Sequence, residues 1–213
     1  MKRNYDREMQ DIIKGLRDTP RLLLHSCCAP CSSSVLEQLA KAFRVTVLYY
    51  NPNIYPRKEY EFRKAEQIRF IKTFPFENPV DFRDAEYEPE QFYEAVKGLE
   101  AEPERGDRCS LCYGLRLSRT AREAAEGEYD FFATTLTLSP LKDPERINRI
   151  GFSKEAALKE EGFQNAPRYL PSDFKKRNGY LRSLAITRDY GMYRQDYCGC
   201  EFSRRQKTEQ EGE

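Results

Sequence analysis

The sequence predicts an α/β protein built on a parallel sheet with flanking helices. Short apolar or β-branched runs alternate with stretches of helical periodicity in the order strand, helix, strand, helix, the pattern of a parallel sheet covered by helices. Three of the strand-like runs lead into polar segments, residues 27–31, 51–54 and 134–139. In open parallel sheets such segments converge where helix N-termini point inward, so together they nominate one pocket at the C-terminal ends of the strands. At 213 residues the chain fits one ordinary domain that buries a core without disulfide braces.

Residues 21–26 form the first expected strand, a compact apolar run stopped by the turn-forming residues around Pro30. Val35, Leu36, Leu39, Ala40 and Phe43 then recur at helical spacing, giving a helix over 32–43, and 45–50 is a second strand. Asn51-Pro52-Asn53 breaks it, and Phe62, Ala65, Ile68 and Ile71 mark a helix over 59–74. The acidic stretch 84–105, with Pro89 and Pro103, reads as a short helix between loops. A helix over 109–126 follows, ended near Gly127, with Cys109 and Cys112 in its first turn. Residues 129–138 are rich in β-formers and read as a third core strand, with helices over 147–162 and 180–191. The expected organisation is one metal-bearing α/β domain over 1–203, its first twenty residues an N-terminal extension, with 204–213 a disordered tail lacking apolar content.

Composition limits the function. The longest apolar runs are far too short to cross a bilayer, and the charged N-terminus leads into no apolar stretch of the secretory kind. The expected setting is cytoplasmic, where thiols stay reduced or bind metal. The net charge of +1 argues against indiscriminate nucleic-acid binding, but the charge is uneven. Residues 77–105 are strongly acidic, whereas residues 168–194 carry Arg168, Lys175, Lys176, Arg177, Arg182, Arg188 and Arg194 against Asp173 and Asp189 alone. The first strand is followed by His25-Ser-Cys-Cys-Ala-Pro-Cys31 and not by a glycine-rich phosphate loop, which weakens hydrolase and dinucleotide readings.

The seven cysteines carry the strongest signal. They fall into three groups: Cys27 with Cys28-x-x-Cys31, Cys109-x-x-Cys112, and Cys198-Gly199-Cys200. A single small buried cysteine is ordinary core filling, but pairs at ligand spacing in a reducing compartment favour metal or redox roles. Two pairs at that spacing suit tetrahedral zinc as well as a four-iron cluster. A closed zinc site leaves three thiols over. Two of them sit in the Cys-Gly-Cys unit, which reads either as a cycling dithiol or as a turn whose thiols both ligate metal.

The ordered set His25-Ser-Cys-Cys-Ala-Pro-Cys31, Asn51-Pro-Asn-Ile-Tyr-Pro56 with Glu59-Tyr60, Arg108-Cys-x-x-Cys-Tyr113 with Arg116-Leu117, Thr134-Thr-Leu136 with Ser139-Pro-Leu-Lys142, Asp173-Phe-Lys-Lys176 with Gly179-Tyr180, and Tyr193-Arg-Gln-x-Tyr-Cys-Gly-Cys200 resembles the epoxyqueuosine reductases of the QueH type over about residues 21–203. The resemblance implies a nucleotide-binding-like fold of the HUP or PP-loop kind, without nucleotide hydrolysis. It implies two-electron reduction of epoxyqueuosine to queuosine at the wobble position of tRNA, the last step of queuosine synthesis. It also implies an external electron donor, a [4Fe-4S] cluster and an additional iron nearby. Matched by position, Cys27, Cys28, Cys109 and Cys112 would hold the cluster, Cys31 the extra iron, and Cys198 and Cys200 would be the redox-active pair. Spacing alone pairs Cys28 with Cys31.

Supporting residues follow. His25, the sole histidine, reads equally as a proton donor or as a core residue bonded to backbone. Asp173 reads as a catalytic carboxylate or as a helix cap. Lys175, Lys176, Arg177 and Tyr180 suit phosphate contacts and base stacking on an unpaired anticodon loop. Two other classes fit parts of the pattern: a zinc-stabilised RNA-binding module and a thiol–disulfide oxidoreductase.

Overall fold

The structure, a computed structural model, describes residues 3–211. Five parallel strands lie in the order β3-β2-β1-β4-β5: β1 (Arg21–His25), β2 (Arg44–Tyr49), β3 (Val80–Asp84), β4 (Phe131–Thr134) and β5 (Arg168–Tyr169). The order reverses between β1 and β4, and the crevice outside the strand ends at such a reversal is where open α/β sheets bind ligands. Register brings those ends level, since His25 stands opposite Leu48 of β2 and Thr134 of β4.

Alternation along the central strands builds two cores, one on each sheet face. Leu22, Leu24, Val45, Val47, Phe131 and Ala133 face one layer, made by α1 (Tyr5–Lys14), α2 (Ala29–Leu39), α3 (Arg57–Thr73) and α7 (Gly179–Asp189). Leu23, Leu48 and Phe132 face the other, where α5 (Asp107–Glu126) and α6 (Pro144–Glu160) pack. The short α4 (Pro89–Ala95) adds Phe92 and Val96 beside Cys112. No described helix is long and apolar enough to cross a membrane.

Several elements depart from expectation for local reasons. The third strand stops at Thr134, because the Thr134 hydroxyl accepts the Leu136 N–H and turns residues 135–138 into a 3-10 helix. Helix α2 starts at Ala29, with Pro30 in its first turn, so Cys28 becomes the N-cap and Cys31 lies within the first turn. Helix α5 starts at Asp107, so only Cys109 of its pair sits in the first turn. The first twenty residues include α1, whose Met9 is fully buried in the main core. The segment expected to be a disordered tail is helical as far as Glu211, in α8 (Glu201–Glu211). Its anchors come from outside the tail's own composition: Phe202 packs with Phe92, and Gln206 donates to the Glu102 carbonyl. Residues 212 and 213 lie outside the described part.

Candidate metal centre

Buried polar bonds shape the segment after β1. Ser26 and Ser32 both donate to Gln67 Oε1 of α3, at 2.7 and 3.0 Å, and Asn51 Nδ2 donates to the Ser26 carbonyl at 2.8 Å. The chain therefore turns sharply from β1 into α2, and the Sγ atoms of Cys27, Cys28 and Cys31 come within 4.8 Å of one another. Gln195 Nε2 donates to Cys28 Sγ at 2.9 Å. The Cys27 thiol is pushed well down by hydrogen bonds from the Cys28 and Cys31 thiols, while burial and Cys27 push Cys28 up to about 12. Cys31 is raised by both neighbours. Three thiols packed this closely disfavour one another's ionisation, which a bound cation would relieve.

The other four cysteines surround a narrow void. Cys109, Cys112, Cys198 and Cys200 line it with Asn53, Arg108 and Tyr113. Burial raises Cys109, Cys112 (to about 12) and Cys200. Gly199 makes the Cys198–Cys200 turn possible: its φ is +125°, and a Cβ there would meet Arg63 Nη1 at 3.1 Å and Ile54 Cγ1 at 3.2 Å. The turn is fastened by the Tyr55 N–H donating to the Gly199 carbonyl at 2.8 Å.

Next to the void opens a cleft of about 280 Å³, lined by Cys27, Cys31, Glu104, Lys142, Tyr180, Arg194, Tyr197 and Cys198 among others. Cys198 borders both spaces, so the three cysteine groups adjoin through it. The Arg194 guanidinium bonds the Tyr180 hydroxyl at the cleft wall.

Cations under the thiols are the least expected feature. Arg63, Arg108 and Arg116 are each 1% exposed. Each keeps at least one buried N–H with no partner among the described residues. Burial would lower Lys142, but Cys198, Cys27, Tyr113 and Cys31 together raise it. Buried cations need anions: Arg63 has Glu59 at 2.7 Å, and cysteine sulfurs ionised by a bound metal would supply further negative charge. Seven thiols, three held within 4.8 Å of one another, beside under-compensated guanidinium groups, make a donor set that fits an anionic metal–thiolate centre.

Sequence comparison identifies the relatives. A family model described as "Epoxyqueuosine reductase QueH" matches residues 22–206. The chain belongs to the QueH family. It is 42% identical to a protein named epoxyqueuosine reductase QueH from Streptococcus pyogenes serotype M1, over 94% of this chain and 78% of that one. It is 41% identical to the protein of the same name from Staphylococcus epidermidis, over 94% and 84%. The counterpart from Thermotoga maritima is 32% identical over 90% and 94%.

Placed in the QueH fold, the remaining nominated residues separate. His25 is fully buried, with Nε2 3.2 Å from the Tyr50 carbonyl and Nδ1 2.9 Å from Thr134 Oγ1. The bonding fits the Nε2–H tautomer, donating to the carbonyl and accepting from the threonine. Burial, with Arg116 nearby, lowers it to about 3, so His25 is a neutral core residue linking β1 to β4 and to the segment just after β2. Asp173 pairs with Lys175 at 3.0 Å, is not among the cleft-lining residues, and caps no helix, since Asn178 is the N-cap of α7. Lys175 is committed to internal partners, donating to the Thr137 carbonyl at 3.0 Å. Lys176 and Arg177 are exposed, Arg177 pairing with Asp6 at 3.3 Å, and Tyr180 borders the cleft. Residues beside the cysteines that residue-level reasoning did not single out are Arg63, Arg108, Arg116, Lys142 and Gln195. For Arg116 a signal existed, because it stands four residues after Cys112 and so shares its helix face.

Proposed function

We propose that this chain is an epoxyqueuosine reductase that removes the epoxide oxygen of epoxyqueuosine in tRNA, consuming two electrons and two protons and giving queuosine and water. The observation that carries the reading, beyond family membership, is the adjacency of all three cysteine groups at a cleft large enough to admit part of a nucleoside. Cys27, Cys28, Cys109 and Cys112 are assigned to a [4Fe-4S] cluster and Cys31 to an additional iron, with Cys198 and Cys200 as a redox-active dithiol. When bound, the metal would relay electrons from the donor and provide Lewis acidity.

The chain's own residues bind and orient. Tyr180 and Tyr197 on the cleft wall offer aromatic faces for a flipped-out base, and Lys142 and Arg194 offer positive charge to an oxygen anion. Lys176 and Arg177 are assigned to phosphate contacts outside the cleft. Leu138 and Pro140 give the cleft part of its apolar lining. A HUP-like ancestry agrees with the strand order, and a cytoplasmic setting with seven free thiols; an external donor must supply the electrons.

Anaerobic incubation of the iron-loaded protein with epoxyqueuosine-containing tRNA and a strong reductant, followed by nucleoside mass spectrometry, tests the reading. Loss of one oxygen from the modified nucleoside is expected. An unchanged nucleoside with iron-replete protein would refute it, and activity that survives iron removal would favour a simple thiol–disulfide enzyme.

A further inference from the structure

Helix α3 exposes an aromatic ring at a position where its periodicity calls for a buried one. Phe62 belongs to the apolar positions that mark this helix in sequence, yet it is 48% exposed. Lys58, Ala65 and Arg69, at helical spacing from it, are exposed with it and make one outward face. Tyr193, 37% exposed, packs on Phe62 edge to face, with ring centroids 4.8 Å apart and planes at 75°. A lone exposed aromatic is ordinary, but two rings held together in the open present a surface to which a further ring can be added.

Tyr193 is fixed on α3 by two carboxylates. Its N–H donates to Glu66 Oε2 at 3.1 Å and its hydroxyl to Glu59 Oε1 at 3.3 Å. The acids of this stretch are taken up by other cations: Glu59 by Arg63, Glu61 by Arg57 and Lys64, and Glu66 by Arg69. Lys58, one turn before Phe62, is left without an ion pair among the described residues, so the face suits an anionic partner that carries flat rings. The pair also adjoins the cleft through the chain itself. Arg194 and Gln195, the two residues after Tyr193, line the cleft, and Arg194 bonds the Tyr180 hydroxyl on its wall. A nucleic-acid strand whose modified base enters the cleft therefore carries an adjoining nucleotide past Tyr193.

We propose that Phe62 and Tyr193 form a stacking platform for the base next to the modified nucleotide in the anticodon loop of tRNA, with Lys58 on the accompanying phosphate. The inference rests on the functional reading given above. Unpaired RNA offers base faces that stack on aromatic side chains whatever the base, and the two hydrogen bonds to Tyr193 hold its ring ready for that contact. A neighbour held on the rim is unstacked from the modified base, which eases the entry of that base into the cleft.

Binding of an anticodon stem-loop RNA, unmodified at the wobble position, is measured by filter binding to wild type, Phe62→Ala and Phe62→Tyr, each purified anaerobically with its metal. The same RNA is also made with an abasic site on either side of the wobble nucleotide in turn. Phe62→Ala weakens binding of the intact RNA about fivefold or more, and Phe62→Tyr stays within about twofold of wild type. One of the two abasic RNAs costs wild type a similar factor but costs Phe62→Ala no more than about twofold, because the contact is already gone. Across a salt series Phe62→Ala keeps the wild-type slope, since stacking releases no counterions, whereas Lys58→Ala lowers the slope by about one contact.

Equal losses on the intact and abasic RNAs overturn the proposal, because they mark a change in folding or in the surface at large. Unchanged RNA binding in Phe62→Ala overturns it as well, as does a wild type that binds no stem-loop; if Phe62→Ala abolishes self-association in sedimentation instead, the face is a contact between copies of this chain. Reduction of the modified nucleoside by wild type without coupling at Phe62 leaves the functional reading intact and removes the platform. Coupling without reduction does the reverse.

Discussion

Two helical glycines should respond to the same substitution with opposite signs. Gly151, in the middle of α6, lies against the buried Tyr169 ring of β5, and a Cβ built there falls 2.2 Å from Tyr169 Cζ and 2.4 Å from two further ring atoms. Carbon atoms pack at about 3.5–4.0 Å, so Gly151→Ala demands a shift of more than an ångström. Tyr169 cannot yield, being 2% exposed and packed against Phe132 and Phe152 with centroids 5.3 Å away in each case. Overpacking of a well-filled core costs about 1–3 kcal/mol, and an overlap this large belongs at the upper end. Helix propensity returns about 1 kcal/mol, leaving a net loss of about 2 kcal/mol. Gly114, in α5 between the candidate ligand Cys112 and Arg116, has nothing within 4 Å of its Cβ position. Gly114→Ala therefore gains about 1 kcal/mol from propensity alone. Urea unfolding of the metal-loaded proteins should separate the two midpoints by about 1 M, with wild type between them. Equal shifts, or a stabilised Gly151→Ala protein, would refute this account of how α6 docks and holds α5 in place.

The remaining predictions concern the site. Serine replacement of Cys27, Cys28, Cys109 or Cys112 should abolish the cluster's visible absorption, Cys31→Ser should remove about one iron and leave the cluster, and Cys198→Ser or Cys200→Ser should keep metal and lose turnover; iron and sulfide assays check each. Gly199→Ala forces a residue with a Cβ into φ +125° against Arg63 and Ile54, a strain of about 1–3 kcal/mol, and should slow turnover at least tenfold with metal content retained, measured in single-turnover assays. Lys176→Ala should weaken tRNA binding and reduce the salt slope by about one contact, whereas Lys175→Ala should lower the melting temperature, because Lys175 is tied to Thr137 and Asp173. Filter binding across a salt series, with melting curves alongside, separates the two lysines.

The central elements were legible because periodicity and burial agree there. Leu22–Leu24, the β2 run and the apolar face of α2 each announce a buried element, and the cysteine spacing announces metal or redox chemistry before any coordinates. Strand β3 was hidden inside an acidic stretch: Val80–Asp84 is an edge strand with no fully buried residue, so its charges read as loop. Strand β5 spans only Arg168 and Tyr169, too short for any period to appear. Helix α8 depends on contacts made by Phe202 and Gln206 with distant segments, which a local window does not see. Spacing likewise could not choose among Cys27, Cys28 and Cys31, because the turn that gathers all three is held by Gln67 and Asn51 from other elements. The arginines beneath the thiols look like surface charge in sequence and become informative only once burial removes the water.

Metal and inorganic sulfide analysis of the anaerobically purified chain, taken with its absorption spectrum, tests the central claim most directly. A brown protein with at least four iron and four sulfide per chain is the predicted result. A colourless protein with one zinc per chain and no sulfide would contradict it.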